Sequence, residues 1–265
     1  MKKHFPFEFI YQVFSLLIII IVVHAAYVAV IRPNAQAELE QQAEQLKLDK
    51  DYVPKRSIYV LIRDYEQEAC FILMFWSLFI MAFKGANLLR ERSMLDKDLL
   101  HAKEGIKFLP QDARELTRQI QTLPKEEQNF LLPRALITAL HRFSSTKNIQ
   151  DVSSATDNVC ESESERLDSE LSIIRYITWA IPSIGFLGTV RGIGDALGQA
   201  HKAVEGDITG VTESLGVAFN STLIALCISI VLMFIVHQLQ LMQERYILDT
   251  QNYCNDNLLR HLQVS

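Results

Sequence analysis

The sequence lacks the residue clusters that hold a metal ion or a disulfide framework. Its 265 residues include four cysteines, which are Cys70, Cys160, Cys227 and Cys254. None of them forms a CxxC pair or a Cys/His cluster, so their spacing argues against a zinc site and against structural disulfides. A glycine-rich phosphate loop is absent from the polar part as well. We therefore predict no metal site and no cofactor, and we interpret the thiols as buried or interfacial.

An excess of basic residues is also missing. Lysine and arginine total 26 against 31 aspartates and glutamates, which gives a net charge of −5. Nucleic-acid-binding chains are strongly basic, and disordered chains are poor in hydrophobic residues. Here 49% of the residues are hydrophobic and the mean hydropathy is +0.11. This composition excludes both classes, predicts no nucleic-acid partner, and favours a membrane protein with sizeable polar parts.

Four long apolar runs predict an all-α integral membrane protein with about four transmembrane helices. The first run covers residues 7–31 and follows Lys2 and Lys3. A cleaved signal peptide is the competing interpretation, but the run exceeds the roughly 7–15 apolar residues of a signal sequence, and no small-residue cleavage site follows. We expect a retained span. His24 within it is interpreted as packed or interfacial, because no charged residue lies at helical spacing from it.

The runs and the polar stretches between them divide the chain into six segments. We predict an N-terminal span at 1–31, a periplasmic segment at 32–68, a second span at 69–89, a helical cytoplasmic domain at 90–170, two pore-forming spans at 171–238 and a cytoplasmic helix at 239–265. Basic residues near the spans place the N-terminus and the C-terminus in the cytoplasm. Ser144–Glu165 is rich in Ser, Thr, Asn, Asp and Glu, a composition that predicts a loop or capped turn.

The third run contains a periodic set of small residues. Four glycines and a proline lie between Ile181 and Gly194, although each glycine would cost a soluble helix about 1 kcal/mol relative to alanine. Membrane helices accept glycine because small residues let neighbouring backbones approach closely. Three of the glycines fall at i, i+3 and i+7 on one stripe. We assign helix packing to Pro182, Gly185, Gly188 and Gly192.

The fourth run presents a small, weakly polar face. Its members are Ser214, Ala218, Ser221, Thr222, Ala225 and Ser229. One interpretation is helix packing, with the hydroxyls bonded to backbone carbonyls. The other is a hydroxyl-lined path for ions. Spacing alone leaves both interpretations open.

Charged residues avoid the middle of the third and fourth runs. Arg191, Asp195 and Glu213 lie toward the predicted outer ends, and the first two are four residues apart, a spacing that permits a salt bridge. A charge at mid-bilayer costs several kcal/mol and usually marks a titrating site. If this chain moves protons, the titrating carboxylate must therefore come from another subunit.

Residues 179–190, with the sequence WAIPSIGFLGTV, resemble the pore-helix motif of the MotA/TolQ/ExbB proton-channel family. Residues 217–226 resemble the next helix of that family, and the resemblance as a whole covers roughly residues 70–262. It implies a homopentamer in the bacterial inner membrane, around an ExbD/TolR/MotB-like single-span partner that carries a membrane aspartate. It also assigns Thr189 and Thr222, with the adjacent Ser221, to the ion path.

The chain departs from the family pattern at two positions. Val217 stands where the ExbB and TolQ branch has a glutamate, and Arg191 replaces a usually apolar or aromatic residue. The extra N-terminal span is similar to the four-span MotA branch. We expect an ion-conducting ring subunit of a motor complex, with protons as the ion and without enzymatic activity or a catalytic site. A non-conducting structural membrane scaffold is the alternative.

Overall fold

The structure is a computed structural model that describes residues 7–49, 57–100 and 107–263. All regular secondary structure in these ranges is helical, and a single isolated bridge joins Phe108 to Leu262. The predicted all-α class is therefore confirmed. Lys2 and Lys3, on which the predicted orientation of the N-terminus depends, lie outside the described residues.

The described helices follow one another with short connections. They are α1 (Phe7–Ala26), a π-helical segment (Tyr27–Ile31), α2 (Arg32–Leu48), α3 (Ile58–Leu61), α4 (Tyr65–Arg92), α5 (Ala113–Ile120), α6 (Lys125–Gln128), α7 (Leu131–Thr146), α8 (Ile149–Glu170), α9 (Ser172–Gly198), α10 (Ala200–Val204), α11 (Thr209–Asn257) and a 3-10 turn (Leu259–His261). Four helical stretches are long and apolar enough to cross a membrane, and they contain α1, α4, α9 and α11. The predicted number of spans is confirmed.

The first helix continues beyond the predicted end of its span at residue 31. The π-helical segment Tyr27–Ile31 joins α1 directly to α2, and Pro33 occupies the start of α2. Proline is tolerated at the start of an α-helix, where its missing N–H removes no hydrogen bond. The polar stretch after residue 31 therefore begins as a continuous helix.

The chain forms two compact units. The first comprises Met1–Met81 and Ile173–Val236, and the second comprises Ala82–Ser172 and His237–Ser265. We call them the membrane unit and the polar unit. The membrane unit contains the apolar parts of α1, α4, α9 and α11, and it holds all the predicted site residues.

The polar unit contains one wrong prediction. Ser144–Glu165 was expected to be a loop, but α7 extends to Thr146 and α8 begins at Ile149. A two-residue turn joins the helices: Lys147 adopts a left-handed conformation, and the Asn148 side chain caps α8 by accepting the backbone N–H of Gln150. The buried residues of α8, which are Val152, Ala155, Thr156, Cys160 and Glu163, recur at helical spacing. This periodicity outweighs the serine-rich composition of the exposed face.

Candidate functional site

The small residues of α9 and α11 form the contact between these two helices. Each buried glycine of α9 faces one small residue of α11, in the pairs Gly185–Ala225, Gly188–Ser221 and Gly192–Ala218. A Cβ atom added at Gly192 would lie 2.8 Å from the backbone nitrogen of Ala218 and 2.8 Å from the carbonyl oxygen of Ser214. The helices therefore approach so closely only because glycine has no side chain.

Pro182 lies in the interior of α9, one turn before the glycine contact. Because proline has no N–H, the carbonyl of Thr178 loses the hydrogen bond that it would accept in a regular helix. Ser229 of α11 replaces this bond, since its Oγ donates to the Thr178 oxygen over 3.0 Å. Membrane helices tolerate proline where a neighbouring side chain satisfies the freed carbonyl in this way.

The three predicted ion-path residues lie at the same helix contact. The hydroxyls of Thr189 and Thr222 are hydrogen-bonded to each other across it. Thr189 Oγ1 also lies 3.0 Å from the Ala218 carbonyl oxygen, and Thr222 Oγ1 lies 3.0 Å from that of Gly185. The adjacent Ser221 is buried.

These hydrogen bonds define what the two threonines can do chemically. A hydroxyl has one proton to donate and two lone pairs that accept. Two protons serve the backbone carbonyls and the bond between Thr189 and Thr222, so the remaining capacity is that of an acceptor. The pair can hold the two helices together, as the packing interpretation requires. It can also accept a hydrogen bond from a water or from a protonated carboxylic acid.

The predicted outer charges are paired with α4 and with the residues just before it. Arg191 donates to Glu66 over 3.0 Å, and Arg63 donates to Glu213 over 3.1 Å. The spacing-based expectation of a bond between Arg191 and Asp195 is wrong. Glu66 wins because the start of α4 packs against Gly188, one turn before Arg191: a Cβ atom at Gly188 would lie 3.2 Å from Glu66 Cγ.

The pairing predicts different effects for the two carboxylates. Glu66→Gln removes the charge that faces Arg191, and we expect a loss of about 1 kcal/mol or less because the arginine is 43% exposed. Asp195→Asn is expected to leave stability unchanged. Thermal unfolding in detergent, followed by circular dichroism, compares the two variants. Equal losses for both would contradict the assignment of Glu66 as the partner.

Comparison with known proteins identifies the region that contains the helix contact. Residues 127–252 match the model of the MotA/TolQ/ExbB proton channel family. Residues 127–252 belong to this family. The matched range includes α9, α11 and both threonines, whereas α1, α2 and α4 precede it. Comparisons with curated proteins and with solved structures give no significant match.

A second charged cluster of this family member was missed by sequence analysis. The buried carboxylate of Glu68 accepts from His24 over 2.7 Å and pairs with Arg32. His24 therefore has an acidic partner, although no charged residue lies at helical spacing along its own helix. The available signal was the pair of acidic residues, Glu66 and Glu68, at the edge of the second apolar run. Their partners lie on other helices, which periodicity cannot reveal.

Asp64 precedes α4 and is only partly satisfied. Its Oδ2 is buried and has no hydrogen-bond partner among the described residues, while its Oδ1 lies 3.7 Å from Arg63 Nε. Burial raises the pKa of this carboxyl, and the charges of Arg63 and Arg191 oppose that effect. The folded chain therefore binds a proton more readily at Asp64 than the unfolded chain does.

This raised pKa predicts a pH-dependent stability effect. Above the folded-state pKa, ionised Asp64 makes folding less favourable, and this cost disappears as the pH falls below the ordinary aspartate value. We expect Asp64→Asn to stabilise the protein at pH 7 by about 1 kcal/mol or less, since the amide also loses the attraction to Arg63. The gain should shrink on acidification. Melting temperatures measured between pH 7 and pH 4 check this, and a gain that grows on acidification would contradict it.

Proposed function

We propose that this chain is the proton-conducting ring subunit of a motor complex in the bacterial inner membrane, where it is a multi-pass protein. Five copies surround a single-span partner of the ExbD/TolR/MotB type, and ion flow past the partner's membrane aspartate produces mechanical work. The observation that carries this proposal is the Thr189–Thr222 pair, which lies between two membrane helices of a region that belongs to a proton channel family.

The need for a partner follows from the charges of the two helices. Residues 176–190 of α9 contain no carboxylate, lysine, arginine or histidine, and neither do residues 214–236 of α11. A proton that crosses the membrane beside these helices needs a group that binds and releases it. Threonine hydroxyls do not titrate in the physiological range, so they serve only as hydrogen-bonding positions. The titrating carboxylate therefore comes from the partner.

The ring is supported by the apolar side chains that α9 and α11 leave exposed. Their largest members include Phe186, Leu187, Val190, Phe219 and Ile230. Lipid tails cover part of such a surface, and neighbouring copies of the chain cover the rest when identical subunits close around an axis. The family provides the number five, and the exposed faces provide the area for the contacts.

The ring is tested by native mass spectrometry of the full-length chain extracted in mild detergent. We expect a mass of five copies, and a spectrum that contains only monomers would refute the ring. Conduction is tested by reconstituting the chain with a single-span partner in liposomes and measuring proton flux with an internal pH dye. A partner whose membrane aspartate is replaced by asparagine provides the control without flux.

The scaffold alternative is favoured by a specific observation. The threonine hydroxyls bond to backbone carbonyls, and the glycine face brings α9 against α11, as pure packing requires. A scaffold would form the ring but give no proton flux with any partner. Proton flux that depends on the partner's aspartate would exclude it.

A further inference from the structure

Gln67 is a fully buried amide on α4 in the membrane unit. Its Nε2 donates to the Leu61 carbonyl oxygen and to Ser221 Oγ, both over 3.3 Å. Its Oε1 is buried as well, and no described residue donates a hydrogen bond to it. A buried acceptor without a donor costs free energy, and apolar surroundings give it no relief.

The orientation of this amide is determined by its neighbours. Ser221 Oγ donates its proton to the Val217 carbonyl over 2.9 Å, so it needs a donor from Gln67. Rotating the amide by half a turn would place Oε1 against Ser221 Oγ and the Leu61 oxygen, neither of which has a proton left for it. The nitrogen therefore faces both acceptors. The unpaired oxygen belongs to the same amide and lies beside Ser221.

The unpaired oxygen lies between the outer charges and the hydroxyls of α11. Gly188 contacts both sides: a Cβ atom added there would lie 2.7 Å from Ser221 Oγ and 3.2 Å from Glu66 Cγ. Asp64, one turn before Gln67, has a second buried oxygen without a partner. Unpaired polar atoms in a protein interior are the positions that ordered water occupies. A metal cation is disfavoured, because the neighbouring Glu66 carboxylate is already neutralised by Arg191.

We propose that an ordered water binds at Gln67 Oε1, beside Ser221, and that this water is the outer entry of the proton path to Ser221 and Thr222. The inference rests on the proposed function for its second half only. When a proton arrives, an O–H bond forms on the outer side of the water and another O–H bond breaks on its inner side. The water is unchanged, and one proton has moved inward. Gln67 holds the water in place and exchanges no proton itself.

The water is tested first, without any assay of function. A high-resolution electron cryomicroscopy structure of the full chain in lipid nanodiscs should show density about 2.7–3.2 Å from Gln67 Oε1. Side chains packed against Oε1 without that density would overturn the proposal. Density coordinated by several oxygens at about 2.3–2.6 Å would indicate a cation instead and would also overturn it.

The role in the path is tested by proton flux in liposomes that contain the chain and its partner. Gln67→Leu and Gln67→Met keep the bulk of the side chain and remove the amide, and we expect each to lower flux by about tenfold. The control is Ser15→Ala, which removes a buried hydroxyl of α1 that bonds only within its own helix. Flux should then stay at the parent level.

The two proposals can fail separately. If Thr189→Val with Thr222→Val stops flux while both Gln67 variants conduct like the parent, the entry through Gln67 is wrong and the proposed function stands. If the parent conducts no protons, the proposed function fails, and the nanodisc density still decides whether water binds at Gln67.

Discussion

Gly192→Val is expected to force α9 and α11 apart and to prevent the membrane unit from folding normally. The first atom of the new side chain would lie 2.8 Å from Ala218 N and from the Ser214 carbonyl oxygen. These are backbone atoms of a helix, so no rotamer change relieves the overlap and the whole helix has to move. Overpacked interiors lose about 1–3 kcal/mol. We expect at least that loss here, because the moved helix also loses the neighbouring glycine contacts.

Gly194 provides the matched control on the same helix. A Cβ atom added there meets no heavy atom within 4 Å among the described residues, so Gly194→Val tests the effect of valine without the overlap. The measurements are the yield of folded protein in detergent and its melting temperature. Equal yields and melting temperatures for the two variants would show that Gly192 does not set the helix distance.

The contact between α9 and α11 could be predicted from sequence because its signal is local and periodic. Glycines at i, i+3 and i+7 mark one face of a helix, and small residues at matching intervals mark one face of the next. The structure brings these two faces together. The start of α9 at Ser172 agrees with the predicted start at 171 within one residue, because a long apolar run begins there.

The charge pairs could not be predicted by the same means. Arg191 and Glu66 are 125 residues apart, and helical spacing gives only partners on the same helix, such as Asp195. Which carboxylate reaches the arginine depends on where α4 packs, and the packing of α4 depends on Gly188. The buried amide of Gln67 was missed for the same reason, since its partner Ser221 is 154 residues away.

Pro182 shows an intermediate case. Its position inside an apolar run predicts a free carbonyl four residues earlier, at Thr178. The small hydroxyl face of α11 contains several candidates for the missing donor. Only the helix register selects Ser229 among them. Sequence thus predicts the need for a donor, and the tertiary structure provides its identity.

Replacing Thr189 and Thr222 together by valine is expected to stop most of the proton flux while the ring still forms. Valine keeps the branched shape and removes both hydroxyls, and with them the lone pairs that accept a hydrogen bond from a protonated acid or a water. The Ala218 and Gly185 carbonyls, to which the hydroxyls bond, still accept the backbone bonds of their own helices. Folding should therefore lose only about 1–2 kcal/mol for the two hydroxyls.

Thr189→Ser with Thr222→Ser is the control that separates hydroxyl chemistry from shape. Serine keeps both oxygens and loses the methyl groups, so flux should stay within a few-fold of the parent if the lone pairs carry the function. Packing without conduction predicts the opposite order: valine fills the apolar part of the contact and serine leaves small voids, which cost stability. Flux in liposomes and native mass are measured on the same preparations. A double valine variant that forms the ring and conducts like the parent would exclude these two hydroxyls from the proton path.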